Sequence, residues 1–254
     1  MAVSYLSSGA YTTATATSIT LPIGAGAAAG DMMIAMISIK AYNSAISTPS
    51  GWTSLGLLAN GTTASGTGTG SVKVQAFYKE HTGTETNPSF TLSAPTTIAI
   101  GIIQVYRKTF PLWLDPVGAG QWQVPNSTTL NFSTNVEFPM YVTNFFAGFC
   151  ATNSNTNTFV TFSSLVNSST SGGGTFSAFT TTPSASTQLN TSLGAGLSMV
   201  SGYASVTAEG SRYAFVDFSG NTSISSDTIG FVIRLAESYI PGTNDPFSSS
   251  GFFN

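Results

Sequence analysis

The chain has 254 residues, a formal charge of −3 and only 7% charged residues, against about 25% in an average soluble protein. Seven Lys and Arg cannot neutralise a phosphate backbone, so nucleic acid is excluded as a main partner. The same scarcity excludes a coiled coil or helical bundle, which needs charged flanking positions.

Uncharged polar groups fill the deficit: 37 Ser and 37 Thr beside 26 Gly. A 41% hydrophobic and 12% aromatic content is enough to build a core, which argues against disorder. No helical period is visible. Turn-forming residues recur about every ten positions, with β-branched and aromatic residues between them.

Residues 19–39 are apolar, but Pro22, Gly24, Gly26, Gly30 and Asp31 interrupt them. The unbroken run, 32–37, is far short of the about 20 residues of a membrane span. This stretch therefore reads as a loop feeding a strand, 32–39, buried on both faces, and no membrane partner is expected. Residues 72–79 alternate Val72, Val74, Ala76 and Tyr78 against Lys73, Gln75, Phe77 and Lys79, the pattern of a half-buried strand.

Further strands are predicted at 89–93, 97–107, 128–133, 140–151, 159–162, 175–181, 197–207, 213–218 and 228–235. The low-complexity stretches 60–70, 153–157 and 167–174 read as exposed loops. The expectation is an all-β chain, an antiparallel β-sandwich or jelly roll over residues 1–236.

A weak internal echo runs through it. Thr97-Ile98-Ala99-Ile100-Gly101-Ile102-Ile103 leads to Arg107, and Thr228-Ile229-Gly230-Phe231-Val232-Ile233 leads to Arg234. Two related half-sandwiches, joined near residues 115–125, would account for it. From residue 237 the character changes. Pro241, Gly242 and Pro246 break regular structure, and Phe247, Phe252 and Phe253 sit among serines. Residues 237–254 are expected to form an extended C-terminal arm whose three phenylalanines dock on a neighbouring subunit, since burying each contributes roughly 1.5–3 kcal/mol.

Residues that carry chemistry are scarce. His81 is the only histidine and lies in a turn sequence, Lys79-Glu80-His81-Thr82-Gly83, where it is expected to be exposed. Cys150 lies in an apolar run and reads as a small core residue; as the only cysteine it permits no intrachain disulfide. Zinc-ligand spacings and phosphate-binding glycine motifs are absent. Among the acids, Glu80 and Glu85 flank one turn, and Glu209 and Asp217 flank an expected hairpin. Asn221 with Asp227, or Asn244 with Asp245, could offer oxygens to calcium, though without a recognised spacing. No catalytic residue, metal or cofactor is expected. Trp113 and Trp122 flank residues 115–120. They read as packing residues or, alternatively, as platforms on which sugar rings stack.

The first half carries a recurring set of short motifs. They are Gly30-Asp31-Met32-Met33-Ile34-Ala35, Pro49-Ser50-Gly51-Trp52-Thr53, Tyr78-Lys79 followed by Thr84-Glu85, Phe90-Thr91-Leu92-Ser93, and Tyr106-Arg107. This set resembles a diffuse group of β-sandwich proteins and modules found in tailed-phage genomes and in some secreted bacterial proteins. It covers about residues 20–120 and extends more weakly to 236. Lys108 stands where that group commonly has glycine. The resemblance implies a non-enzymatic sandwich displayed on a particle or a cell.

No Lys or Arg precedes Lys40, so the basic segment of an export signal is not expected. An exterior-type surface without export fits a virion, which assembles in the cytosol. The reading is thus a bacteriophage virion structural protein on the particle exterior, a head decoration (cement) protein or fibre subunit. It would contact other virion proteins of capsid or tail and copies of itself, as a homotrimer or another closed ring. The alternative is a carbohydrate-binding or receptor-binding adhesion module that takes a host glycan.

Overall fold

A computed structural model describes residues 3–40, 44–60, 72–93, 97–108, 112–115, 122–133, 144–154, 162–170, 175–176, 180–181, 187–191, 195–208 and 216–237. Among them every regular element is a strand, there is no helix, and all the named pairings are antiparallel.

The first sheet is built from β1 (Ser4–Ser8), β2 (Thr12–Ala16), β4 (Met32–Lys40), β5 (Thr53–Asn60), β6 (Val72–Glu80) and β8 (Thr97–Arg107). Its order is β1-β8-β4-β6-β5, with β2 also paired to β8. A separate pair, β3 (Ser18–Thr20) and β7 (Ser89–Thr91), packs Ile19 and Phe90 against one of its faces.

The apolar run of β4 is explained by two cores. Met32, Ile34 and Met36 enter one, and Met33, Ala35, Ile37 and Ile39 enter the other. All nine residues of β4 are buried. β6 departs from the expected half-buried pattern. Val72, Val74 and Ala76 join the first core and Phe77 the second, so the strand is covered on both faces along most of its length. The second core is closed by Ile19 of β3, Phe90 of β7, Leu21, Ile46, Trp52 and Leu92. Phe90 is its centre, with Phe77 at 5.1 Å and Trp52 edge-on at 5.5 Å.

The second sheet comprises β9 (Leu112–Asp115), β10 (Trp122–Ser133), β11 (Asn144–Ser154), β12 (Phe162–Thr170), β13 (Thr175–Phe176), β14 (Thr180–Thr181), β15 (Thr187–Thr191), β16 (Ala195–Ala208) and β17 (Val216–Glu237). The described residues of the two strands expected at 213–218 and 228–235, 216–218 and 228–235, fall on one strand, β17, which also binds β12. That pairing explains why residues 167–170, expected in a loop, are extended.

The two sheets share a strand plan. In the first, β1 and β2 lie end to end along β8, then come β4, β6 and β5. In the second, β9 and β10 lie end to end along β17, then come β11, β16 and the short β13, β14 and β15. The registers agree as well. Arg107 lies opposite Ser4 on the first strand of its half, and Arg234 opposite Asp115. Met36 sits between Ile102 and Ala76, and Cys150 between Ile229 and Met199. Counting from the two arginines, Ile102 and Ile229 fall at the same position. The matched residues Ala76 and Met199, and Tyr106 and Ile233, all enter the core to which Leu197 and Leu235 also belong.

A polar seam crosses that core. β14 covers Gly202 and Tyr203 on β16, and β15 covers 195–199. In the interval between them the Ser201 amide donates to Tyr11 Oη at 2.8 Å. The Tyr11 and Ser201 hydroxyls are 3.0 Å apart, Gln104 Nε2 donates to Ser201 Oγ at 3.3 Å, and Tyr106 Oη donates to Gln104 Oε1 at 2.8 Å. Burial, followed by the nearby phenols Tyr5 and Tyr203, pushes the Tyr106 pKa well above its usual value, so it remains a donor. Tyr5 stacks on Tyr203 with ring centres 4.7 Å apart.

Candidate functional site

The motifs of the first half converge at one end of the first sheet. Ala28-Ala29-Gly30-Asp31 closes a turn through Asp31 N–H to Ala28 O at 3.0 Å, with Gly30 at φ 91°. Positive φ at the third residue is the type II geometry that glycine adopts without steric cost. The Asp31 carboxylate returns to Ala28 N–H at 2.9 Å, and His81 fastens the turn to β6 by exchanging backbone bonds with Gly30 and Asp31. Arg107 completes the joint as a fork on Asp31, Nε at 3.0 Å and Nη2 at 2.9 Å. Burial opposes ionisation of Asp31, but Arg107 and the Ala28 amide outweigh it and hold its pKa below the usual value.

A second turn, Pro49-Ser50-Gly51-Trp52, has the same form, with Trp52 N–H to Pro49 O at 3.1 Å and Gly51 at φ 78°. It overhangs Lys79, whose amine would lie 3.2 Å from a Cβ at position 51. Residues 81–88 face it across a cleft of about 340 Å3.

That loop is tied at several points. Thr82 donates its amide and its hydroxyl to the two Glu85 oxygens, each at 2.7 Å. His81 Nδ1 accepts the Gly83 amide at 2.9 Å, Asn87 Oδ1 accepts the Ile23 amide at 3.0 Å, and Pro88 O accepts the Leu21 amide at 3.0 Å. Burial opposes the Glu85 charge, but the Thr82 donors prevail and the pKa falls to about 2. Lys79 Nζ lies 3.4 Å from Glu85 Oε1. Ile23, Pro49, Trp52 and Pro88 give the cleft apolar walls, and Ser50, Thr84 and Thr86 bring hydroxyls to it.

His81 is only 7% exposed, contrary to the expectation from its turn sequence. The turn is real, but its backbone is clamped under the Gly30-Asp31 turn. Because Nδ1 accepts the Gly83 N–H, it has no proton to give to Glu85 Oε2 at 3.3 Å. Glu80 and Glu85 do not form an acid pair: Glu80 accepts Lys108 at 2.7 Å, and Glu85 is held by Thr82.

Trp113 and Trp122 are brought to one strand. They occupy positions on β9 and β10 opposite Ala236 and Gly230 of β17. Cys150 holds a central position on β11. Asn221 and Asp227 lie on β17. Phe247, Phe252 and Phe253, with the rest of the proposed arm from 238 onward, lie outside the described residues, as do Glu209, Asn244 and Asp245.

Among the described residues no three His, Cys, Asp or Glu gather as metal ligands, and no helix is long and apolar enough to cross a membrane. The cleft was not anticipated from the sequence. Its signal was the Thr82-x-x-Glu85 spacing, in which a side chain can loop back to an upstream amide. No family model, curated protein or solved structure matches the chain.

Proposed function

We propose that this chain is a non-enzymatic structural subunit of the exterior of a bacteriophage particle, a head decoration (cement) protein or a fibre component. In this reading the two sheets form a β-sandwich of two related halves. The subunit stabilises the particle by contacts with other virion proteins and with copies of itself in a closed ring, a homotrimer. The phenylalanine-bearing segment 237–254 reaches a neighbour.

The observation that supports a scaffold is the use made of charge. Asp31 with Arg107, Lys79 with Glu85, and Glu80 with Lys108 are paired to one another, and Lys73 donates to Ser44 O at 2.7 Å. Each of these contacts joins a strand to a loop, so the charges tie the fold together. The assignment to a phage particle rests on the resemblance of the first half.

Light scattering on the purified full chain is expected to give a trimer or another closed oligomer. Removing residues 238–254, which leaves β17 whole, is expected to shift it toward monomer while the chain stays folded. A full-length chain that is monomeric at micromolar concentration would overturn the assembly role. Absence of the chain from purified particles of the encoding phage would overturn the assignment to a virion.

A further inference from the structure

We infer that the cleft between the Pro49–Trp52 turn and residues 81–88 is a binding site for one uncharged sugar unit. The site is independent of the subunit role proposed above. It lies on the first half of the chain, far in sequence from Trp113 and Trp122.

Four properties lead to this ligand class. The volume, about 340 Å3, is at the lower end of the roughly 300–1,000 Å3 range of small-molecule sites. The walls are preorganised. The carboxylate of Glu85 and the Pro88 and Asn87 contacts fix one side, and the Gly51 turn fixes the other. Little ordering is therefore left to oppose binding.

The charge is balanced locally. Lys79 and Glu85 face each other at 3.4 Å, so neither an anion nor a cation gains a free counter-charge. Finally, the lining is mixed in the way a pyranose is mixed. Exposed hydroxyls of Ser50, Thr84 and Thr86 suit its hydroxyl edge, and the Pro49 and Pro88 rings suit its C–H faces. A single sugar held by a few such bonds binds weakly, with a dissociation constant on the order of 1 mM.

The test is saturation-transfer NMR and titration of the full chain with D-glucose, D-galactose, D-mannose and N-acetyl-D-glucosamine. Inorganic phosphate serves as the charged comparison. The triple variant S50A/T84V/T86V removes the hydroxyls from exposed positions and should leave the unfolding midpoint unchanged. At least one sugar is expected to bind the wild type, and the triple variant is expected to bind it at least tenfold more weakly, since three hydroxyl partners are lost. Three outcomes overturn the site: no sugar bound by the wild type, equal binding by the triple variant, or phosphate bound more tightly than every sugar. Equal binding that disappears in W113A/W122A would move recognition to the second half.

Discussion

Arg107, at the end of β8, grips Asp31, immediately before β4, through two parallel bonds of 3.0 and 2.9 Å, although they lie 76 positions apart. The acid is buried, 5% exposed, while the guanidinium is 51% exposed and also reaches Gly26 O at 3.2 Å. Two of the motifs read from the sequence are thus the two halves of one joint. It holds the Gly30 turn against the sheet.

Arg107→Ala leaves a buried carboxylate without its counter-charge. The variant is expected to be less stable than wild type, by less than the loss of a fully buried pair because Arg107 is half in water. The pH dependence has a definite sign. Asp31 titrates below its unfolded value of 3.8 in the fold, so the stability it contributes is present above that value and is lost as pH falls through its lowered folded pKa. Denaturant unfolding of wild type and variant should differ most near neutrality and converge in acid. A gap that widens in acid would refute the pairing.

Gly51→Ala forces a side chain into φ 78° and places its Cβ 3.2 Å from the Lys79 amine. The turn is expected to lose about 1–2 kcal/mol. Trp52 fluorescence would report it, because the indole is 8% exposed and packed on Phe90. A red shift is expected in the variant, and an unshifted spectrum with unchanged stability would show that the turn tolerates a side chain.

Tyr11→Phe deletes the oxygen that accepts the Ser201 amide and meets its hydroxyl. The expected loss is about 1–2 kcal/mol, the effect of removing one partner from a part-buried donor. Hydrogen exchange at the Ser201 amide should accelerate relative to its neighbours on β16. Unchanged protection there would contradict the seam.

Lys40 is fully buried, and burial pushes its pKa down to about 8. Unfolding restores the ordinary value of 10.5, so between these values the unfolded chain binds more protons than the folded one and stability rises with pH. Measured against Lys40→Met, the wild type should gain relative stability from pH 7 to pH 10.5. A flat difference would mean that the amine is solvated.

The sequence was legible where one environment acts on a whole element. β4 is apolar at nearly every position because cores lie on both of its sides, and residues 32–39 were read accordingly. Alternation misled at β6, where Lys73, on the same face as Gln75 and Lys79, is buried with its amine on Ser44 O. β1 and β2 are rich in Ser, Thr and Ala and only partly buried, so their extended form is dictated by β8 rather than by their own residues.

β17 was divided in two because polar residues from Ser219 to Asp227 interrupt its apolar ends. Its partners, β10 and β12, keep it continuous. The cleft depends on a meeting between residues 49–52 and residues 79–88. Each segment is a recognisable turn, but nothing local in either announces the other.

The matched strand plans of the two sheets carry a consequence for how this protein can change. A fold that repeats its own blueprint holds two sets of connecting segments on a single backbone logic. One set can stay fixed, as the clamped turns around Asp31 and Trp52 are. The other half need not keep the same dimensions: β17 has 22 residues where β8 has 11. Variation between relatives of this chain should therefore be lopsided, slow around residues 23–108 and fast in the latter half, with the shared core between the sheets drifting only in compensating steps.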